Sequence, residues 1–391
     1  MRKRLAAALA LTVSAAPAAA VCDAANTYGF AFSSRPNATL SYATSYSYTA
    51  SNPLGASQNF TMSFAANGLS GTTVNSVQMP AIGSLITTGT GEKTLQIGGT
   101  FSARTASVSG DTRTIRTTFT FATPVRDIAV TIHDIDFGSN QYRDWLHVVG
   151  SSGTASYVPA LASPYGNNNG GTTTAAASTV RFGPGTSPFA LSASEAVGTG
   201  TSTNTGVNNG DVLISFPQPV TSVTLRYGNY PLQAGESATG QQAFGISAIR
   251  FCPMPSLSVS KAAAPYASSG AERFHIPGAD VVYTITVTNT GGSPVDLDGL
   301  VLTDVLPPGV TFYHGDFNPA APNMGPFELV AGTSAVSLPA SGRAYSNNGG
   351  ASFSYAPAAG YDPLAQAVRL TPSGSMAANS SFSIRFRARV R

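Results

Sequence analysis

Between Thr114 and Phe121 the chain alternates strictly, with Ile115, Thr117, Phe119 and Phe121 on one parity and Thr114, Arg116, Thr118 and Thr120 on the other. A period of two sends alternate side chains to opposite faces, so this is a strand with one buried side. Pro124 has no N–H to give a ladder and ends the run. After the Pro124-Val125 corner, Ile128, Val130 and Ile132 restore an apolar face. The pattern predicts a hairpin cornered at Pro124, followed by a third strand that reaches Val149. Its second parity runs on into Asp134 and Asp136, where the chain must leave the core.

The corner returns later in the chain. Phe121-x-x-Pro124-Val125-x-x-Ile128-x-Val130 reappears as Phe216-x-x-Pro219-Val220-x-x-Val223-x-Leu225, with every position offset by 95 residues. That offset is too long for one coil of a solenoid. It reads instead as the same hairpin used twice, with Val212, Ile214 and Phe216 leading in. Further strands are expected near Tyr28 to Phe32, Asn59 to Phe64, Thr94 to Ile97, Thr179 to Phe182 and Phe244 to Phe251. Such strands, mostly antiparallel and non-local, fit a jelly-roll-like β-sandwich. Farther on, Val281, Tyr283, Ile285 and Val287 alternate with Thr284, Thr286 and Thr288. Phe382, Ile384, Phe386, Ala388 and Val390 alternate with Ser383, Arg385, Arg387, Arg389 and Arg391, a row that reads as a solvated face guarding an edge.

Composition agrees with short strands joined by turns. Charged residues are only 10% of the chain, against 40 glycines and 26 prolines, and no amphipathic helix pattern is present. The formal net charge of +3 is carried by Arg2, Lys3 and Arg4. Without them the charge balances, which removes the electrostatic basis for binding nucleic acid. Residues 1–20 combine that basic start with an apolar run from Leu5 to Val13 and Ala18-x-Ala20, the build of a cleaved secretory signal. The run is far short of the ~20 apolar residues a membrane span needs, so no span is expected. An exported chain with two cysteines, Cys22 and Cys252, is expected to pair them. That bridge would clip together the two ends of a first domain at residues 21–254, just before Pro253-Met254-Pro255, and leave a second at 255–391.

His133-Asp134-Ile135-Asp136-Phe137-Gly138, continuing through Asn140 to Asp144, is the one constellation with chemistry in it. Asp134, Asp136, Asp144 and the amide oxygen of Asn140 could supply much of the six to eight oxygens that calcium takes. The other readings are that Asp134 and Asp136 pair with Arg126 or Arg143, or cap turns. The chain has four histidines and five glutamates, and no nucleophile elbow or zinc-protease helix. His133 and His147 read as strand-end surface residues, and no enzyme is expected. Asp134 with Asp144 as a glycosidase-like pair is the outside alternative.

Two resemblances add to this. The pattern from Phe121 to Asp136 resembles the N-terminal sandwich domains of bacterial surface proteins. Leu257-Ser-Val-Ser-Lys261, then Pro277-Gly278-Ala-Asp280 through Tyr283 to Asn289, then Leu302-Thr-Asp304-Val-Leu306-Pro307-Pro308-Gly309, look like the conserved repeat domain of such proteins, domain of unknown function eleven. That resemblance implies an immunoglobulin-like β-sandwich without enzymatic activity. Sandwich domains resembling it in fimbrial proteins join a first-strand lysine to an Asn or Asp. This would engage Lys261, assisted by Asp304, with Asn289 or Asn379, whereas the residues themselves put Lys261 at a strand rim with its head in water. The expectation is an all-β, exported, non-enzymatic protein of a bacterial surface, matrix or periplasm, with a structural or adhesive role. Its partners would be glycans or other surface proteins. A carbohydrate-binding first domain is the nearest alternative.

Overall fold

The computed structural model describes residues 11–15 (backbone), 24–110, 112–138, 141–163, 180–184, 189–200, 209–231, 239–266, 276–295, 297–318 and 325–391. The chain is all β, in two compact units: Val21–Met254, and Pro255–Arg391 together with the N-terminal residues up to Ala20. Among the described residues no helix is long and apolar enough to cross a membrane.

The first unit is built from β1 (Tyr28–Ala31), β2 (Thr44–Ser51), β3 (Ser57–Asn67), β4 (Ala81–Thr87), β5 (Lys93–Phe101), β6 (Thr114–His133), β7 (Tyr142–Ser152), β8 (Glu195–Gly198), β9 (Val212–Ser215), β10 (Val220–Asn229) and β11 (Gly240–Pro253). Pairing runs β8-β7-β10-β6-β3-β2-β1-β11-β5-β4. β6 pairs a second time, through its other half. Thr114 to Phe121 lies between β3 and β10, whereas Ala129 to Ile132 lies between β9 and β11. The expected hairpin is therefore corrected: the segments before and after Pro124 do not pair with each other. They are one 20-residue strand whose early and late halves pair with different neighbours in a single continuous sheet.

Pro124 and the left-handed Asp127 mark the crossing, with register shifts between Thr120 and Val125 and between Arg126 and Ala129. A bulge bends a strand and raises its twist, which a passage between layers needs. The echo has the same explanation. β9 pairs with the later half of β6 and β10 with its earlier half, so the two copies run antiparallel and meet at Val125 opposite Val220. Phe121, Val125, Ile128, Val130, Phe216, Val220, Val223 and Leu225 are all buried in one core. Under the first corner Phe121 meets Phe251 with centroids 4.8 Å apart, and Phe60 lies 6.1 Å from both. Truncating any of these rings to Ala is a change of ~3–5 kcal/mol.

The five expected strands of this unit are present. β2, β4 and β8 were not foreseen: TSYSYTAS, AIGSLIT and EAVG carry few large apolar residues in alternation. Cys252 is buried at the end of β11, its Sγ 3.2 Å from the Asn26 carbonyl oxygen. Cys22 lies outside the described residues.

The second unit has β12 (Leu257–Pro265), β13 (Asp280–Asn289), β14 (Leu300–Val305), β15 (Val310–His314), β16 (Phe327–Val330), β17 (Arg343–Ser346), β18 (Ala367–Leu370) and β19 (Ser380–Val390). One sheet runs β12-β13-β19-β15, with β16 also on β19, and the other runs β14-β18-β17. The inward residues expected on β13 and β19 meet there in one core. Leu11–Ala15, inside the expected leader, lies antiparallel along the outer edge of β14, from Leu11 opposite Asp304 to Ala15 opposite Leu300.

Two expectations are corrected in this unit. The arginine row is not a bare solvated face. Arg387 donates to Asp280 (2.8 Å) between the rings of Tyr266 and Tyr313, Arg389 donates to the other Asp280 oxygen (2.8 Å) beneath Tyr361, and Arg385 donates to Glu328 (2.6 Å). Burial pushes the Asp280 carboxyl up, but hydrogen bonds from Arg389, Tyr361 and Arg387 outweigh it and hold it below the usual range.

Nor does Lys261 sit in water. Its Nζ lies 2.8 and 2.7 Å from the two oxygens of Asp304, with side-chain exposures of 1% and 2% for the pair. Lys261 is on β12 and Asp304 on β14, so the ion pair links the two sheets. Asn289 is used elsewhere: its amide donates to Ser293 and Ala377, and its oxygen accepts from Ser256 and Gly291. Asn379 is exposed.

Lys261→Met should leave Asp304 as a buried carboxylate without its cation and destabilise the second unit by ~3–5 kcal/mol, while Lys261→Met with Asp304→Leu should recover most of that. Chemical denaturation of the three proteins checks it. We further expect the unfolded, unreduced protein to show no titratable thiol, and reduction to lower the stability of the first unit by ~2–5 kcal/mol. Two free thiols would show that Cys22 and Cys252 are unpaired.

Candidate functional site

β6 ends at His133, and the next residues fold the acidic segment inward. Asp134 has φ of 68°, a left-handed conformation that Asp tolerates better than most residues. This is the bend that strict alternation lacked. Ile135 drops into the core and its N–H donates to Gly210 (3.0 Å), and the Phe137 N–H donates to Gly200 (2.9 Å). The chain then reverses, with Phe137 opposite Arg143, and enters β7.

Asp136 and Asp144 hold each other across that reversal. The Asp144 N–H donates to the Asp136 carbonyl (3.0 Å), and the Asp136 N–H donates to Asp144 Oδ2 (3.0 Å). Tyr227 of β10 donates its hydroxyl to Asp144 Oδ1. Gly198 must be glycine, because a Cβ there would come within 1.8 Å of the Asp136 carbonyl oxygen. Arg143, one of the cations expected to neutralise this group, donates to the Gly198 carbonyl (2.6 Å) and stacks on Phe137 and Phe189.

The three aspartates predicted as a site are thus brought together, and all are buried. Burial pushes Asp134 well above the usual carboxylate range, with the charge of Asp136 and a hydrogen bond shared with it adding to the shift. Burial and the charge of Asp136 do the same to Asp144, partly offset by the hydrogen bonds from Tyr227 and the Asp136 N–H. Burial likewise pushes the Tyr227 hydroxyl up. Carboxyls this close and this dry keep protons unless a cation replaces them. Among the described residues no three His, Cys, Asp or Glu side chains are placed to hold one metal ion. Asn140, the fourth expected ligand, lies outside the described residues.

Beside the group is a cavity of about 340 Å³, lined by Asp134, Asn75, Gln141, Tyr142, Gln241 and Gln242 among others. Asp134 is 7% exposed and Gln242 2%, yet among the described residues Asp134 Oδ1 and both polar atoms of the Gln242 amide have no hydrogen-bond partner. Buried polar atoms left this way destabilise a fold by ~1–3 kcal/mol each. Asp144 is not part of the lining, which separates it from the Asp134 it would partner in a glycosidase-like pair.

His133 and His147 are buried rather than on the surface. The His133 Nδ1 is 2.6 Å from Asp211 Oδ1, and its Nε2 is 2.8 Å from Ser247 Oγ. Asp211 immediately precedes β9, and Ser247 is on β11. Nothing in the sequence joins three residues so far apart; only the pairing of β6 with both β9 and β11 does. Neither a known family model nor a curated protein sequence matches the chain.

Raised carboxyls stabilise the folded state below the ordinary carboxylate range, and that contribution is lost as pH rises through their folded values. The first unit should therefore be less stable at pH 7 than near pH 5. Asp134→Asn should flatten this dependence and raise the melting midpoint at pH 7 by about 2–6 °C, on the scale of ~1–2 kcal/mol. Calorimetry of the full chain with calcium and with chelator measures both effects. A midpoint raised by calcium in the parent and not in Asp134→Asn would put a cation where the protons are.

Proposed function

We propose that this is an exported surface or matrix protein with a structural and adhesive role, whose first unit holds a hydroxyl-rich ligand of saccharide type. The observation that carries the reading is the cavity beside Asp134. Its lining offers the carboxyl of Asp134, four carboxamides and the phenol of Tyr142, and the Asp134 and Gln242 atoms are buried without partners among the described residues. Carboxyl and amide groups accept from and donate to vicinal hydroxyls, and buried polar groups recover lost hydrogen bonds when a ligand supplies them.

The export pattern of residues 1–20 and the balanced charge of the remainder support a location outside the cytoplasm. The second unit supports the structural half of the reading. Its sheets are linked through Lys261 and Asp304, and its arginine face is laced with Asp280, Glu328 and three tyrosines.

A glycan array probed with the full chain should retain one class of saccharide. Gln242→Met keeps the volume and removes the amide, and should weaken retention at least tenfold, the effect of ~1.4 kcal/mol. No retained glycan, with a protein partner recovered instead from cell envelopes, would leave the adhesive role and remove the saccharide.

A further inference from the structure

We propose that Ser247 is a nucleophile, with His133 as its base and Asp211 as the residue that orients the base, and that together they cleave small ester groups through an acyl-serine. The relevant feature is the order of the contacts. The carboxylate is on Nδ1 (2.6 Å) and the hydroxyl on Nε2 (2.8 Å). A neutral imidazole that donates from Nδ1 to Asp211 presents the Nε2 lone pair to the Ser247 hydroxyl. That is the arrangement by which a serine loses its proton as it attacks, and such sites are recognised by geometry and roles rather than by sequence order.

Burial is graded along the chain of contacts. The side chains of His133 and Asp211 are 4% and 11% exposed, whereas Ser247 is half-buried. The base is dry, and the nucleophile is the less buried end of the chain of contacts. The backbone at Ser247 is special too. β6 registers Ile132 with Ile246 and Thr131 with Ala248, so Ser247 is an extra residue bulged from the ladder. On its other side the β5 pairing ends at Ile246 and the β1 pairing begins at Ala248. Bulges re-aim one side chain, here turning the serine to His133. The cavity lies close by. Ile86, in its lining, would come within 2.9 Å of a Cβ on Gly245, the cross-strand partner of His133.

The reaction balances with water alone. Ser247 Oγ adds to the ester carbonyl as its proton passes to His133 Nε2; the carbon–oxygen bond to the alcohol breaks, and the alcohol leaves with that proton. Water then gives a proton to His133 and its hydroxyl to the acyl carbon, and Ser247 departs with the proton returned. An ester and water become an acid and an alcohol. The proposal does not rest on the saccharide reading, and its test uses no saccharide.

The full chain should be labelled by a fluorophosphonate, with the adduct mapped to the peptide that holds Ser247. Ser247→Ala should abolish labelling and the hydrolysis of p-nitrophenyl acetate, with the melting midpoint unchanged. Asp211→Asn should slow labelling at least ~100-fold, with partial recovery in Asp211→Glu. An unlabelled Ser247 in a protein whose melt is cooperative would overturn the proposal. So would acetate hydrolysis that survives Ser247→Ala, or labelling of Asp211→Asn at the parent rate.

Discussion

A strand whose two halves pair with different neighbours must bend without abandoning its hydrogen-bond partners, and β6 meets that demand at Pro124, where the missing N–H falls in the gap between its two ladders. The first unit depends on this crossing. Because the early half of β6 is held by β3 and β10 and the late half by β9 and β11, neither layer can shift without the other. The Phe121, Phe251 and Phe60 rings fill the volume beneath the corner, so packing and pairing fix the same bend.

The crossing also explains where the chemistry lies. A strand that has changed layers ends away from its starting sheet, and the residues after it must return through a tight turn. Asp134 and Asp136 fall in that turn, beside Asp144 on the strand going back, and β10, the echo partner, brings Tyr227 beneath them. β9 and β11, which flank the late half of β6, carry Asp211 and Ser247 to its last residue, His133. Acidic group, cavity and histidine contacts are all consequences of one strand end.

Much of this was legible as local pattern. Alternation located the core faces of β6, β13 and β19 and most strands of the first unit, because burial on one face leaves a period of two wherever pairing is regular. The recurrence of Phe-x-x-Pro-Val was visible, but its meaning was not. A proline corner serves a hairpin or a passage between layers equally well, and only the partners of the flanking residues tell them apart. The same limit applies to charge. Arg387 and Arg389 read as solvent-facing from β19 alone, because Asp280, Tyr266, Tyr313 and Tyr361 come from distant parts of the chain. Lys261 looked like a rim residue because nothing near it in sequence reveals that β14 will set Asp304 against it. The aspartate trio was legible because it is nearly contiguous; Asp211 and Ser247 were not, being separated from His133 by 78 and 114 residues.

The Lys261–Asp304 pair also has a mechanical meaning. The chain enters the second unit through β12, which among the described residues is the outermost strand of its sheet and pairs with β13 alone. Tension arriving from the N-terminal side would load that strand first and peel it from its neighbour one bond at a time. A charged contact from β12 to β14 in the opposite layer means that peeling must also pull a dry lysine from its carboxylate, so the load is shared with the second sheet.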